Sequence, residues 1–343
     1  MRIGLLTGGG DAPGLNGVLE SVSRCLLKQG HELVGILDGF EGVFDGKQRP
    51  IGLHDVEGMH NFAGTFLGTS NKTGTTGREK EFLDKFRALR LDGLVAAGGD
   101  GTFAGLKPFA KDVPMIGVPK TIDNDLAGTE VTFGYDTACS VVAESVDALR
   151  ATAEAHRRVI VVETMGRTAG WIALGGGLAS YADVMLIPER PFDPAKLSAH
   201  IKSVKASGRK RGLMVVVAEG ARQIGGTVHV AFEVAGSPQA ERFGGIGHWL
   251  ARWIEKETGW EARDVVLGHL QRSRSPTTTD RFLTLSMGVQ VAEMVQEGAW
   301  NQAVVMRGGQ ITRAPIQELM APPKLVSEHH RWVRMAEELG LWL

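Results

Sequence analysis

Short runs of aliphatic residues recur along the chain, and between them lie stretches in which apolar residues return every three or four positions. The short runs have the length of buried strands, whereas the wider spacing is typical of helices with one buried face. Strand and helix therefore alternate, which indicates an α/β protein with mainly parallel sheets. The predicted strands are Ile3–Leu6, Leu33–Leu37, Leu94–Ala97, Met115–Val118, Val159–Val162, Val184–Ile187, Met214–Val217, Val265–Leu267 and Ala303–Met306, and two helical stripes are Leu15, Val18, Leu19, Val22, Leu26 and Phe282, Leu285, Val289, Ala292, Val295.

Length and one change of composition indicate two domains. A chain of 343 residues is long enough for two hydrophobic cores. A glycine- and aspartate-rich region ends near Tyr135–Asp136, and a long helical segment follows from Ala138 to Ala155. We therefore expect a domain change at this point.

Charge and cysteine content narrow the class of protein. Lys and Arg number 38 against 39 Asp and Glu, so a general electrostatic grip on nucleic acid is not expected. Cys25 and Cys139 lie far apart and outside any metal-binding spacing, which suits a reducing compartment. The longest apolar runs, such as Leu213–Ala218, are far too short to cross a membrane. The sequence predicts a cytoplasmic protein that binds neither nucleic acid nor membrane.

Glycine clusters follow two of the predicted strands. TGGGDAPGLN (7–16) and GGDGT (98–102) each come directly after an aliphatic run. Glycines let backbone amides approach a ligand, and the positive end of a helix beginning at Thr102 would attract a phosphate. A carboxylate beside phosphates usually holds Mg²⁺, which predicts that role for Asp100. A tight β–α turn would explain either motif alone, and neither has the dinucleotide or Walker A spacing.

Paired carboxylates and a lysine follow another strand, in GVPKTIDNDLAGT (117–129). Asp123 and Asp125 lie two residues apart, so in an extended loop their side chains face the same way, with Lys120 nearby. One carboxylate can take a proton from an attacking hydroxyl while the other helps to place Mg²⁺, as phosphoryl transfer requires. Taken alone, an Asx-rich turn is the simpler explanation.

Two more strand ends carry cations. VVETMGR (161–167) ends on Arg167, and GHLQR (268–272) places His269 and Arg272 three residues apart. Such side chains can converge on one phosphate, although a solvated helix start has the same pattern. Besides GGDGT, four strand ends are suited to anions in a nearly neutral protein, and together they predict phosphate binding.

In their order along the chain these motifs, with GTEVTFGYDTA, AEG, EAR and DR, resemble those of bacterial-type 6-phosphofructokinases over nearly the whole length. GGDGT also occurs in NAD kinases and related lipid kinases, but its combination with TIDND, MGR and GHLQR favours phosphofructokinase. The resemblance implies two Rossmann-like three-layer α/β/α domains with mainly parallel sheets. Residues 1–136 with about 273–318 would bind the phosphoryl donor, and residues 137–272 with about 319–343 would bind fructose 6-phosphate.

The resemblance also implies a role for single residues. Asp123 is expected to deprotonate the 1-hydroxyl of fructose 6-phosphate, Thr121 and Arg167 to steady the transferring phosphoryl group, and Asp100, with Asp125 nearby, to hold Mg²⁺. Arg158 and Arg263 would reach the site from a neighbouring subunit, which implies a homotetramer or homodimer. The implied donor-binding residues are Gly9, Gly101, Thr102, Lys120 and Lys72, and the implied substrate-binding residues are Thr121, Asp123, Asp125, Arg158, Met165, Gly166, Arg167, Glu219, Arg263, His269 and Arg272.

Several positions depart from the family pattern. Phe40 stands where a nucleotide-site Tyr is often found, and Asn71 where an Arg is expected. Glu20 replaces an effector-site Arg, while Arg24 matches the next one, so we expect weakened regulation by ADP or phosphoenolpyruvate. Ser273–Arg274 replaces the usual Gly-Gly, for which we have no explanation.

The phosphoryl donor is the open point of the sequence. Gly101 is typical of ATP-dependent members and Lys120 of pyrophosphate-dependent ones. An Asp at position 101 would repel the α-phosphate of a nucleotide, and a repulsive element decides specificity more firmly than an attractive one. We therefore expect ATP, with pyrophosphate as the alternative. A non-catalytic sugar-phosphate sensor is the remote alternative, because it would not need Asp123 together with Arg167.

Overall fold

The computed structural model describes residues 1–70, 74–233 and 241–343, which form two compact units. Unit 1 contains residues 1–70, 74–137 and 272–323, and unit 2 contains residues 138–233, 241–271 and 324–343. Each unit is built from two or more separate stretches of the chain. The binding of donor by one unit and of sugar phosphate by the other stays a prediction.

Strands and helices alternate in the described ranges, as the hydrophobic pattern predicts. The strands are β1 (Arg2–Thr7), β2 (Glu32–Ile36), β3 (Gln48–Pro50), β4 (Gly93–Gly98), β5 (Met115–Pro119), β6 (Val159–Thr164), β7 (Val184–Leu186), β8 (Leu213–Ala218), β9 (Val230–Glu233), β10 (Glu241–Phe243), β11 (Ala262–Val266), β12 (Gln302–Arg307) and β13 (Gln310–Pro315). The helices are α1 (Leu15–Lys28), α2 (Phe40–Asp45), α3 (Leu53–Val56), α4 (Glu79–Ala88), α5 (Asp100–Leu106), α6 (Tyr135–His156), α7 (Trp171–Ala179), α8 (Pro194–Ser207), α9 (Ile246–Thr258), α10 (Leu270–Ser273), α11 (Thr278–Glu297) and α12 (Arg331–Glu338), with short 3₁₀ helices at Met59–Asn61, Lys107–Phe109 and Ile316–Met320.

Unit 1 is a seven-stranded sheet in the order β13-β12-β5-β4-β1-β2-β3. The five inner strands are parallel, and the edge strands β3 and β13 pair antiparallel. Thr7 pairs with Ala97 and Gly98 with Pro119, so β1, β4 and β5 end at the same edge of the sheet. The loops that carry the predicted donor residues leave from this edge, where ligands of open parallel sheets bind.

Alternate residues of the unit 1 strands pack on opposite faces of the sheet. Ile3 and Leu5 lie in a core with α1 and α11, whereas Leu6 lies in a core with α2, α4 and α5. Phe82 is fully buried in the second core, where its ring stacks on that of Phe109 with a centroid separation of 4.3 Å. Unit 1 is therefore a three-layer α/β/α arrangement.

The predicted helix near the end of unit 1 is confirmed as α11, but its predicted stripe is wrong in its first half. Phe282, Leu285 and Val289 are exposed, while the buried face includes Leu283. The reason is the tight packing of α11 on α1, because a Cβ at Gly288 would lie 1.9 Å from Ser21 Oγ. The face with Gly288 therefore packs on α1, and Phe282, Leu285 and Val289 are left on the exposed side.

Unit 2 is a parallel sheet of four strands in the order β11-β6-β8-β7, with a two-stranded antiparallel ribbon of β9 and β10. Helices α8 and α9 pack on one face, and α7 contacts β7 and β8. The C-terminal helix α12 packs against α7. Within the described ranges, every helix is too short or too polar to span a bilayer.

Candidate active site

Thr102 lies at the start of α5, where the loops after β1 and β4 meet in unit 1. A Cβ at Gly8 would lie 2.6 Å from Thr102 Oγ1, so this close approach requires glycine. The Thr102 hydroxyl is buried and has no hydrogen-bond partner among the described residues. Helix α5 begins at Asp100, two residues before the predicted Thr102, and follows an extended Gly99. An orphaned hydroxyl at a helix start fits a phosphate oxygen.

Lys120 contacts the glycine loop that follows β1. Its side chain is buried, and its amino group donates a hydrogen bond to the carbonyl oxygen of Gly10. Burial, together with the positive charge of Arg272, lowers the pKa of Lys120 to about 8. The carboxylates of Asp123, Asp11 and Asp100 oppose this shift. A buried cation of this kind is suited to the terminal phosphate of a donor.

Arg272 belongs to unit 1 and lies beside the same glycine loop. Its Nη1 is 4.0 Å from Asp11 Oδ1, and a Cβ at Gly10 would lie 2.7 Å from that nitrogen. The sequence assigns Arg272 to the sugar phosphate, and this role stays a prediction. In the structure the charge of Arg272 is close enough to lower the pKa of Lys120, which is predicted to bind the phosphoryl donor.

Asp123 and Asp125 follow β5, and each is only 8% exposed. The expected extended loop between them is wrong, because a turn occupies residues 122–123 and Asn124 adopts a left-handed φ of 52°. Asn124 Oδ1 accepts a hydrogen bond from the N–H of Thr132, and the Asp123 N–H donates to Thr121 Oγ1. The predicted base therefore lies on a loop fixed by side-chain contacts.

The residues present fit a magnesium ion that is held mainly by substrate oxygens. No group of three or more metal-binding side chains occurs in residues 1–70, 74–233 and 241–343. Mg²⁺ commonly takes one or two carboxylates, waters and phosphate oxygens. Asp100, exposed in the first turn of α5, has the position and charge for one such ligand.

In unit 2 the loop after β6 carries Arg167. This residue has a left-handed φ of 49°, and its backbone N–H donates to Glu219 Oε1 at 3.0 Å. Its guanidinium carbon lies 5.9 Å from the ring centroid of Phe243. The Met165 N–H donates to Oε1 of the fully buried Gln271 at 3.3 Å. The side chain of Arg167 is thus presented by a backbone that two neighbouring side chains hold.

Arg158 and Arg263 lie on either side of Glu261 in unit 2. An Nη2 atom of each arginine is 3.6 Å and 2.6 Å, respectively, from Glu261 Oε1. The chain directions explain this, because Arg158 directly precedes β6 and Arg263 lies on the neighbouring strand β11. The two arginines predicted to act together are thus adjacent.

The predicted residues divide between the units. Gly101 is at an open position, since a Cβ there would have no described atom within 4 Å. His269 is exposed in the loop before α10. Lys72 and Asn71 lie outside the described residues. Unit 1 contains Gly9, Asp100, Gly101, Thr102, Lys120, Thr121, Asp123, Asp125 and Arg272, and unit 2 contains Arg158, Met165, Gly166, Arg167, Glu219, Arg263 and His269.

Sequence reasoning did not single out Asp11 or Gln271. Asp11 is the acid beside Arg272, and Gln271 binds the backbone next to Gly166. Both residues lie within motifs that predict phosphate binding, TGGGDAPGLN and GHLQR, so the sequence did indicate their neighbourhood. Phe40, in contrast, is a core residue whose ring meets Phe82 edge-on at 5.8 Å.

Glu20 is buried in unit 1, and its carboxylate is fully engaged there. Burial raises its pKa, but the N–H groups of His60 and Gly58 and the side chains of His60 and Arg24 outweigh burial and hold the pKa at about 2. The Arg24 Nε–Glu20 Oε1 distance is 2.9 Å. The acid that replaces an expected arginine therefore binds Arg24 within the chain.

Parallel sheets with glycine-rich, charged strand ends are typical of α/β enzymes that bind phosphate groups. Comparison with known proteins makes this specific. The phosphofructokinase family pattern matches residues 2–295. The chain belongs to the phosphofructokinase family and is an enzyme of that family.

Individual relatives carry two different activities. A pyrophosphate–fructose 6-phosphate 1-phosphotransferase of Streptomyces coelicolor is 41% identical over 100% of this chain and 99% of its own. An ATP-dependent 6-phosphofructokinase of Chloroflexus aggregans is 42% identical over 99% of this chain and 97% of its own. The solved phosphofructokinase of Saccharomyces cerevisiae is 28% identical with a TM-score of 0.79, and the match covers 93% of this chain but only 45% of the yeast chain.

Proposed function

We propose that this chain is an ATP-dependent 6-phosphofructokinase, which phosphorylates O1 of fructose 6-phosphate to give fructose 1,6-bisphosphate. The observation that carries the proposal is the loop after β5, where buried Asp123 lies in the field of a buried Lys120. A base close to a phosphate-binding cation is the pairing that phosphoryl transfer to a hydroxyl needs. Membership of the phosphofructokinase family supports the same reaction.

In the proposed mechanism Asp123 accepts the proton of the 1-hydroxyl. O1 then forms a bond to the terminal phosphorus, the bond from that phosphorus to the bridging oxygen breaks, and ADP leaves with the electron pair. Lys120 and Arg167 offset the negative charge on the phosphoryl oxygens, and Thr102 donates its hydroxyl to a donor phosphate. Asp100, with Asp125, would hold Mg²⁺, which neutralises donor charge when it is bound.

Two observations bear on the donor. The open position of Gly101 leaves room for a nucleotide, which supports ATP. The buried, positively charged Lys120 would bind the terminal phosphate of either donor, so pyrophosphate is the second candidate. Relatives of both kinds match at nearly the same identity.

The proposed assembly is a homotetramer or homodimer in the cytoplasm. Its support is that Arg158 and Arg263 both pair with Glu261, so the two cations lie close enough together to bind one sugar phosphate of a neighbouring subunit. In this proposal a monomer is nearly inactive, because each site lacks its partner's arginines.

The test is a side-by-side assay of initial rates with Mg²⁺ and fructose 6-phosphate, using ATP or pyrophosphate. We expect turnover with ATP. Gly101→Asp should lower kcat/KM for ATP at least about tenfold, because the added carboxylate repels the nucleotide phosphates. Gly101→Ala is the matched control, since it adds a Cβ without charge. Turnover with pyrophosphate alone would assign the alternative donor, and turnover with neither would refute the proposal.

A further inference from the structure

The loop between β6 and α7 holds Arg167 in a backbone conformation that needs support. Arg167 has a φ of 49°, in the left-handed region where side chains with a Cβ are disfavoured. Gly166 before it has a φ of 137°. Glycine adopts such an angle without strain, whereas a residue with a Cβ, such as Arg167, keeps a left-handed conformation only when surrounding contacts fix it.

At the first end of the loop the support is Glu219, whose Oε1 accepts the Arg167 N–H at 3.0 Å. At the other end it is Glu189, which follows β7. Both carboxylate oxygens of Glu189 accept the N–H of Gly170, each at 3.0 Å. A Cβ at Gly170 would lie 2.4 Å from Ile187 Cβ, so only glycine allows the loop to reach this carboxylate.

Glu189 is itself fixed by the C-terminal part of unit 2. The Val326 N–H donates to Glu189 Oε1 at 2.9 Å. Nearby, Trp171 Nε1 donates to the carbonyl oxygen of Lys324 at 2.7 Å. One carboxylate therefore binds the start of α7 and the C-terminal segment together. Its removal would leave the N–H groups of Gly170 and Val326 without their acceptor, which releases that end of the loop.

We propose that Glu189 is a positioning residue for phosphoryl transfer: by binding the N–H of Gly170, it holds the Arg167 loop in the strained form that presents the guanidinium to the transferring group. This inference rests on the proposed function of Arg167. Glu189 touches no reacting atom, so its loss should lower kcat while KM for fructose 6-phosphate changes much less.

The first test compares Glu189→Ala with Glu189→Gln in the full-length protein. Glu189→Ala is expected to lower kcat about tenfold or more, whereas Glu189→Gln keeps an oxygen acceptor and should retain most of the wild-type kcat. Asp183→Ala is the matched control, because it also removes a buried acid of unit 2 that accepts a backbone hydrogen bond, here from the Met214 N–H at 2.7 Å. It should lower the melting temperature without lowering kcat. Equal losses of kcat in Glu189→Ala and Asp183→Ala would overturn the inference.

The second test is a double-mutant cycle between Glu189→Ala and Arg167→Lys. If Glu189 acts through Arg167, Glu189→Ala should cost less than about threefold in kcat once Arg167 is replaced. Independent, multiplying losses would overturn the inference. Should Glu189→Ala not fold, Glu189→Asp serves in its place, since it keeps the charge but does not reach Gly170. An unaffected Arg167→Lys enzyme would instead refute the proposed role of Arg167 itself.

Discussion

In unit 1 the loop after β5 keeps charged side chains buried, with the Lys120 amino group under Gly10 and Arg272 close enough to lower its pKa. In unit 2 the loop after β6 uses carboxylates for a different purpose, since Glu219 and Glu189 bind backbone N–H groups and leave the Arg167 guanidinium beside an aromatic ring. In the first loop burial is the main cause of the lowered pKa of Lys120, whereas in the second loop hydrogen bonds from backbone N–H groups to carboxylates fix the backbone. We therefore expect the function of the first loop to depend on the charge of its side chains and on pH. The function of the second loop should depend on whether a side chain is long enough for its oxygen to accept hydrogen bonds from the backbone N–H groups.

The largest effect is expected in the first loop, at the proposed base. Asp123→Ser should lower kcat by about 10²–10⁴-fold, because no group of similar basicity then accepts the 1-hydroxyl proton. Binding of fructose 6-phosphate, measured by calorimetry, should persist. The exposed Asp112→Ser is a control expected to leave kcat unchanged. Wild-type turnover in Asp123→Ser would remove that residue from its role and favour a different base.

The next effect concerns the charge of Lys120. Because its pKa is lowered to about 8, affinity for the donor should fall as the pH rises through that value and the ammonium loses its proton. Lys120→Met should raise KM for the donor about tenfold or more at neutral pH and abolish the alkaline dependence. KM for the donor is measured across pH with both enzymes. An identical alkaline limb in the variant would assign it to another group.

A smaller effect isolates the influence of Arg272 on Lys120. Arg272→Met removes a positive charge that lowers the pKa of Lys120, so the alkaline fall in donor affinity should move to higher pH. The position of this limb is the readout, because the overall activity changes if Arg272 also binds substrate. A limb that stays in place, or moves to lower pH, would contradict the repulsion between the two cations.

Two buried acids of unit 1 extend the comparison to stability. Burial raises the pKa of Asp280 to about 6 against hydrogen bonds from Thr137, whereas N–H groups and Arg24 hold Glu20 at about 2. The pKa of Asp280 is higher in the folded than in the unfolded protein. Its ionised form therefore lowers stability above about pH 6, and this cost disappears as the pH falls towards about 4. The pKa of Glu20 is lower in the folded than in the unfolded protein. Its ionised form therefore adds stability above about pH 4.5, and this stability is lost as the pH falls towards about 2.

We expect changes of about 1–3 kcal/mol in the free energy of unfolding. As the pH falls from about 7.5 to 5, the wild type should gain stability relative to Asp280→Asn. As the pH falls below about 4.5, the wild type should lose stability relative to Glu20→Gln. Urea unfolding of the three proteins across pH measures both. Parallel pH dependence of the wild type and either variant would contradict the corresponding assignment.

The inner strands of both sheets could be predicted because their aliphatic runs are buried on both faces. Edge strands such as β3 and β13 were missed, since Gln48–Pro50 and Gln310–Pro315 are half-exposed and their polar residues hide the pattern. The predicted stripe of α11 was wrong because periodicity does not tell which face packs when a glycine permits closer contact. These misses have local physical causes.

The candidate site was predictable as a set of motifs but not as a set of contacts. That Lys120 bonds to Gly10, or that Arg272 belongs to unit 1, depends on residues far apart in sequence. The left-handed Asn124 overturned the extended loop because a side-chain contact with Thr132 stabilises it. The role of Glu189 likewise depends on Gly170 and Val326, which no sequence spacing connects.

The proposed reaction of this chain is the transfer of a phosphoryl group to O1 of fructose 6-phosphate. Phosphorus NMR of the purified protein with Mg²⁺, ATP and fructose 6-phosphate tests it most directly, with Asp123→Ser as the matched sample. In the wild type we expect a C1-phosphate signal that grows in equal amounts with ADP, and in the variant the same signal should grow far more slowly. Binding of fructose 6-phosphate without any bisphosphate, from either ATP or pyrophosphate, would contradict it.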